Sequence, residues 1–161
     1  MAIRTIRDIG RTLRDRRDLK ASHGIIIYLI EKYLESLGLI KDKDFRVEEN
    51  INDLELDIIT IDGRGRINTV WEVIEPDPVY NINNDEFLTK IERLLIRTYS
   101  IILKPKYIIL TDGKVLYVYD NKGIRLQALS LEDLADADDE FEEKIRKIIL
   151  GLNGDGGRGG S

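Results

Sequence analysis

The chain has no cysteine, one histidine, one tryptophan and one methionine among its 161 residues. Without cysteine there can be neither a disulfide frame nor a thiolate metal site, and one histidine rules out a histidine-rich centre. Any metal must therefore be held mainly by oxygen. No apolar run reaches the ~18 residues that a membrane span requires, and the amino terminus lacks the charged-then-apolar pattern of an export signal. A protein of the cell interior, cytoplasmic and without a membrane partner, is expected. Besides the absent cysteine, Gln127 is the sole glutamine, isoleucine is frequent and 34% of residues are charged. That balance leans toward a hot habitat. The length suits one domain, which buries about 68–70% of its unfolded surface.

The net charge of −5 is unevenly spread. Residues 1–20 carry seven basic and three acidic side chains, a local +4 that leaves −9 for the rest. The spacing predicts a helix over residues 3–20 with Arg4, Arg7, Arg11 and Arg14 in one stripe and Ile3, Ile6 and Leu13 elsewhere on the wheel. Such a stripe can follow a phosphate backbone, dock on an acidic protein partner, or be a solvated face laced by Asp8, Asp15 and Asp18. Residues 1–21 are read as this basic helix, 22–150 as the main domain, and 151–161 as a disordered glycine-rich tail. His23 stands between the basic helix and the next one, where a cap or packing role is the expectation.

Residues 24–37 read as an apolar helix ended by Gly38, with Glu31 and Glu35 four apart. Three strands follow, Phe45–Ile51, Leu54–Asp62 and Ile67–Glu75, stopped by Pro76 and Pro78. Residues 79–85 read as a loop and 86–103 as a helix with Lys90, Arg93 and Arg97 along one side. Strands are expected at Lys106–Leu110 and Val115–Tyr119 and a further one at Ile124–Leu129. The chain then ends in an amphipathic helix whose early acids and late bases suit the helix dipole.

The hairpin of the second and third strands holds the most informative feature. With Arg64 and Gly65 at the centre of its turn, facing positions total 129, which opposes Asp57 to Glu72. Opposed residues have Cβ atoms about 4.5–5.5 Å apart, and two carboxylates there repel by roughly 3 kcal/mol at an effective dielectric of ~20. Such a pair needs a bound cation, a basic neighbour, or a carboxylate that stays protonated. Mg²⁺, or Mn²⁺, suits it, taking one or two carboxylates and keeping water and phosphate as its other ligands. The alternative is an exposed hairpin with both acids in water.

A helix, a three-stranded meander with an acid on each of two adjacent strands, a helix and two more strands together resemble the PD-(D/E)XK nuclease superfamily. The amino-terminal nuclease domain of type I restriction enzyme R subunits is the nearest likeness. Asp57 and Glu72 match its two acids, Tyr99 the tyrosine of its helix signature, and Thr111-Asp112-Gly113 its turn into an aromatic strand. The match covers residues 24–129. It implies an α/β, restriction-endonuclease-like core: a mixed sheet of about five strands flanked by helices, with an extra N-terminal basic helix and a C-terminal helix. It also implies Mg²⁺-dependent hydrolysis of DNA, with Asp57, Glu72, the Val73 carbonyl and, approximately, Glu31 as metal ligands.

Two positions depart from that pattern. Ile74 replaces the lysine expected to stabilise developing charge, and Leu95 replaces a glutamine. Either Lys90 or Arg93 brings the missing cation, or the chain is a non-cleaving relative that binds DNA or serves assembly. A protein-interaction adaptor is the third reading. DNA contacts fall to Arg4, Arg7, Arg11, Arg14 and Arg97, and a homodimer is among the assemblies this allows.

Overall fold

The computed structural model describes residues 2–16, 18 and 20–152. Helix α1 (Ile6–Asp15) starts at Thr5, whose side chain accepts from the Asp8 amide while the Asp8 carboxylate accepts from the Thr5 amide. This capping box satisfies two orphan donors and sets the start inside the expected 3–20. Helix α2 (His23–Ser36) is capped by Ser22 and followed by Gly38 at φ +91°, the left-handed conformation expected of that glycine.

Strands β1 (Phe45–Ile51), β2 (Leu54–Ile61) and β3 (Ile67–Val73) form the expected meander. One continuous helical segment follows: α3 (Asp85–Ile91), a π turn over Glu92–Ile96, and α4 (Arg97–Ile102). It crosses over to place β4 (Tyr107–Thr111) parallel to β3, and β5 (Leu116–Tyr119) returns antiparallel. The sheet order is β1-β2-β3-β4-β5, an α/β fold with a five-stranded mixed sheet. Helix α5 (Asp139–Ile149) closes the described chain.

No strand forms at 124–129. Arg125 makes a single bridge to Tyr119, and Gln127–Leu129 is a 3₁₀ turn. Leu126, Leu129 and Leu131 pack toward one core, a spacing that does not fit strict strand alternation.

The two faces of the sheet carry separate cores. On one side Ile58, Trp71, Val73, Ile109 and Val118 pack with α1, α2 and α5. On the other Leu56, Ile59, Val70, Ile108 and Leu110 meet the α3–α4 segment. Helix α1 is therefore no separate unit: Ile3, Ile6 and Ile9 are buried in the first core, and Glu142 of α5 accepts from the Ile6 and Arg7 amides at 2.8 and 2.9 Å. The expected tail at 151–161 lies, from residue 153 on, outside the described residues.

The β2–β3 register rests on two departures that cancel. The turn holds three residues rather than two between Asp62 and Arg66, with the Asp62 carboxylate accepting from the Arg64 and Arg66 amides. Ile61 then pairs with Ile67, but Thr60 pairs with Thr69, which leaves Asn68 as a bulge. Beyond it the ladder runs Ile59↔Val70 and Ile58↔Trp71, the register expected from a two-residue turn. The bulge also serves packing: the buried Asn68 amide donates to the Ile148 and Ile149 carbonyls and so caps the end of α5.

Candidate functional site

The ladder between β2 and β3 stops at Ile58↔Trp71. One step further the Asp57 carboxylate takes over the pairing. Its Oδ2 accepts from the Val73 amide at 2.6 Å, and its Oδ1 lies 2.8 Å from Nε2 of His23. Beside it Glu72 Oε1 accepts from the Tyr99 hydroxyl at 2.6 Å. Asp57 and Glu72 are thus brought together where the two strands part, with His23 reaching in from the first turn of α2 and Tyr99 from α4.

The electrostatics follow from burial. Glu72 is pushed up from an ordinary 4.5 to about 7, first by loss of water around it and further by the Asp57 charge, while the Tyr99 bond and His23 pull the other way. Tyr99 is raised as well, by burial first and then by the Glu72 charge. The like-charge pair therefore has two of its possible compensations built in. His23 is a basic neighbour on Asp57, and Glu72 gains a proton near neutral pH. The second oxygen of Glu72 has no hydrogen-bond partner among the described residues.

A carboxylate can only accept, so a neutral His23 bonded to it carries its proton on Nε2 and its lone pair on Nδ1. The His23 side chain is 43% exposed, against 16% for Asp57, so the imidazole is the part of the site open to solvent. A carboxylate-anchored imidazole is suited to accept a proton from water, and a neighbouring carboxyl with a pKa about 7 can give one up.

The other expected site residues are placed elsewhere. Glu31 forms an ion pair with Lys41 at 3.0 Å, and among the described residues no three His, Cys, Asp or Glu side chains gather as a metal-holding group. Lys90 and Arg93 are exposed and line a groove on the outer side of the helix with Thr89 and Leu94. Neither contacts Asp57 or Glu72 among the described residues. Ile74 and Leu95 are half-buried against the second core. Arg97 is exposed beside Gly123.

The arginine stripe divides. Arg7 donates to the Ala137 carbonyl at 3.0 Å and lies 3.8 Å from Asp139, so it is spent on holding α1 to the start of α5. Arg4, Arg11 and Arg14 remain exposed, Arg14 beside Asp15 at 3.1 Å. Arg14 and Lys114 also line a cleft of about 450 Å³, together with Asn81, Asn83 and the carboxylates Asp77, Asp112 and Asp133. Ala21 and Pro76 line it as well, whereas His23, Asp57, Glu72 and Tyr99 do not.

The residue missed from sequence is His23. Its signal was helical spacing: positions 23, 26, 27, 30, 33 and 34 share a face of α2, and the last five are buried. Comparison of the chain with protein-family models, with curated proteins and with solved structures finds no match.

Proposed function

We propose that the chain is a divalent-metal-dependent nuclease of restriction-endonuclease-like architecture, hydrolysing phosphodiester bonds in DNA. The observation that carries this reading is the half-buried pair Asp57 and Glu72 at the parting of β2 and β3, with His23 on one acid and Tyr99 on the other. The order of elements, with β4 parallel to β3 after a helical crossover, supports the architecture.

The residues fit Mg²⁺ or Mn²⁺ through two protein carboxylates. Glu72 has an unpartnered oxygen, and its carboxyl is destabilised as an anion by burial and by Asp57, a penalty that a positive ion removes. When bound, the ion would polarise a phosphoryl oxygen and lower the pKa of a water. His23, oriented by Asp57, accepts the proton of the attacking water at Nδ1. The imidazolium so formed, paired with Asp57, offers the positive charge that Ile74 cannot supply, in place of Lys90 or Arg93. Tyr99 holds Glu72 in position. Arg14 and Lys114 are the bases nearest in the cleft for a phosphate, set against Asp77, Asp112 and Asp133.

One observation favours a second reading, a non-cleaving DNA-binding or assembly module. Both Asp57 oxygens already have internal partners, and Ile74 is half-buried against the second core.

Plasmid and branched DNA incubated with the protein at elevated temperature in Mg²⁺ or Mn²⁺ decides between them. Cleavage is expected, with a loss of at least ~10²-fold in Asp57→Asn, Glu72→Gln and His23→Ala. A readout independent of activity is the melting temperature at pH 8, which Mn²⁺ raises in the native protein and not in Glu72→Gln. Cleavage that survives all three substitutions, or none with either metal, removes the nuclease reading. DNA binding without cleavage leaves the second.

A further inference from the structure

Between the α3–α4 segment and the stretch after β5 lies a second concavity, of about 470 Å³, which shares Asn83 with the cleft of Arg14 and Lys114 but holds neither Asp57 nor Glu72. Its lining is mainly polar, with the buried Ile82 and Leu88 among its residues. Arg125 forms its wall. The guanidinium carbon lies 4.7 Å from the centroid of the Tyr117 ring, and Nε lies 3.9 Å from the Glu92 carboxylate. Glu92 is itself held by the Tyr119 hydroxyl at 2.6 Å. Ring stacking and the ion pair thus hold the guanidinium plane from behind.

What is left over is the front of that plane. Among the described residues neither terminal nitrogen of Arg125 has a hydrogen-bond partner, although the side chain is only 31% exposed. A solvated surface arginine is free to move, but this one is stacked, anchored and sunk in a concavity. A guanidinium held in this way, with its paired terminal donors unspent, suits bidentate capture of a phosphate or carboxylate. The rim carries the opposite charge. Asp85 and Glu132 line the same concavity with the amide of Gln127, and they would repel a ligand that is anionic throughout. The same two carboxylates accept hydrogen bonds from an amino group.

The geometry points to a binding site for a small ligand that carries an oxyanion for Arg125 and an amino group for Asp85 and Glu132. Nucleoside monophosphates with an amino base and acidic amino acids share that chemistry, and the concavity lies within the ~300–1,000 Å³ of small-molecule sites. The inference does not depend on the nuclease reading.

Calorimetric titration of the full chain with deoxyadenosine monophosphate, with L-glutamate and with inorganic phosphate tests it. Saturable binding is expected for at least one of the first two, tighter than for inorganic phosphate, which has no amino group. Binding of the nucleotide alone assigns a phosphate ligand and binding of glutamate alone a carboxylate one. Arg125→Lys keeps the charge but loses the fork, and should weaken binding at least tenfold. Glu132→Gln, at an exposed position with no fold to break, should weaken the amino-bearing ligand and strengthen inorganic phosphate. No saturable binding of any of the three, or equal affinity in the native protein and Arg125→Lys, overturns the proposal. So does an unchanged preference in Glu132→Gln.

Discussion

A carboxyl with a pKa about 7 is half protonated at neutral pH, and for Glu72 the cause is mainly burial. Its folded pKa lies above the ordinary value of 4.5, so the native state holds a proton that the unfolded chain has released between those two pH values. Stability therefore falls as pH rises through that window, by at most roughly 3 kcal/mol between pH 4.5 and 8. Urea unfolding at pH 5 and pH 8 should show this slope in the native protein and a flatter one in Glu72→Gln. An equal slope in both would assign the effect to other groups. Tyr99→Phe removes the bond that favours the anion, and should move the pH midpoint of this transition upward. The closeness of Asp57 and Glu72 was legible from strand numbering, although the ladder itself ends one pair earlier, at Ile58↔Trp71. His23 and Tyr99 on those acids were less so, because each arrives from an element distant in sequence.

Elements meet in this protein at points where one side chain decides the fit. Gly10 of α1 lies against the 3₁₀ turn Leu134–Asp136, where a Cβ would collide with the Ala135 amide nitrogen and stand 2.8 Å from the Leu134 carbonyl carbon. Alanine is the better helix former by ~1 kcal/mol, yet Gly10→Ala should destabilise by about 1–3 kcal/mol, because the obstacle is backbone. Denaturant unfolding at fixed m-value measures this, and a gain in stability would contradict the close approach. Asn68→Ala strips two carbonyls at the end of α5 of their donor and should cost about 1–3 kcal/mol by the same measurement. The Gly38 stop was readable locally. The π turn at Glu92–Ile96 was not, since it coincides with long-range bonds: Tyr119 and Arg125 both hold Glu92 at its start.

At the scale of the whole molecule, α1 is shared between packing and surface charge. Ile3, Ile6 and Ile9 fill the core, Arg7 is bonded to the Ala137 carbonyl just before α5, and Arg11 and Arg14 face solvent. If the exposed pair contacts DNA, the double variant Arg11→Ala/Arg14→Ala should lower the slope of log affinity against log salt by about 2, at ~0.9 per phosphate. Arg7→Ala should instead lower stability and leave the slope unchanged. Filter binding across a salt series, with a thermal melt of each variant, separates the two effects. Composition and periodicity alone determined the main helices, the five strands of the sheet and the closeness of two acids on neighbouring strands, because these depend on residue type and on distances along a few positions. The parallel placement of β4 beside β3, the burial that lifts Glu72, and the arrival of His23, Tyr99 and Arg125 at their partners were decided only by the tertiary structure. Each depends on residues tens of positions apart meeting where water has been excluded.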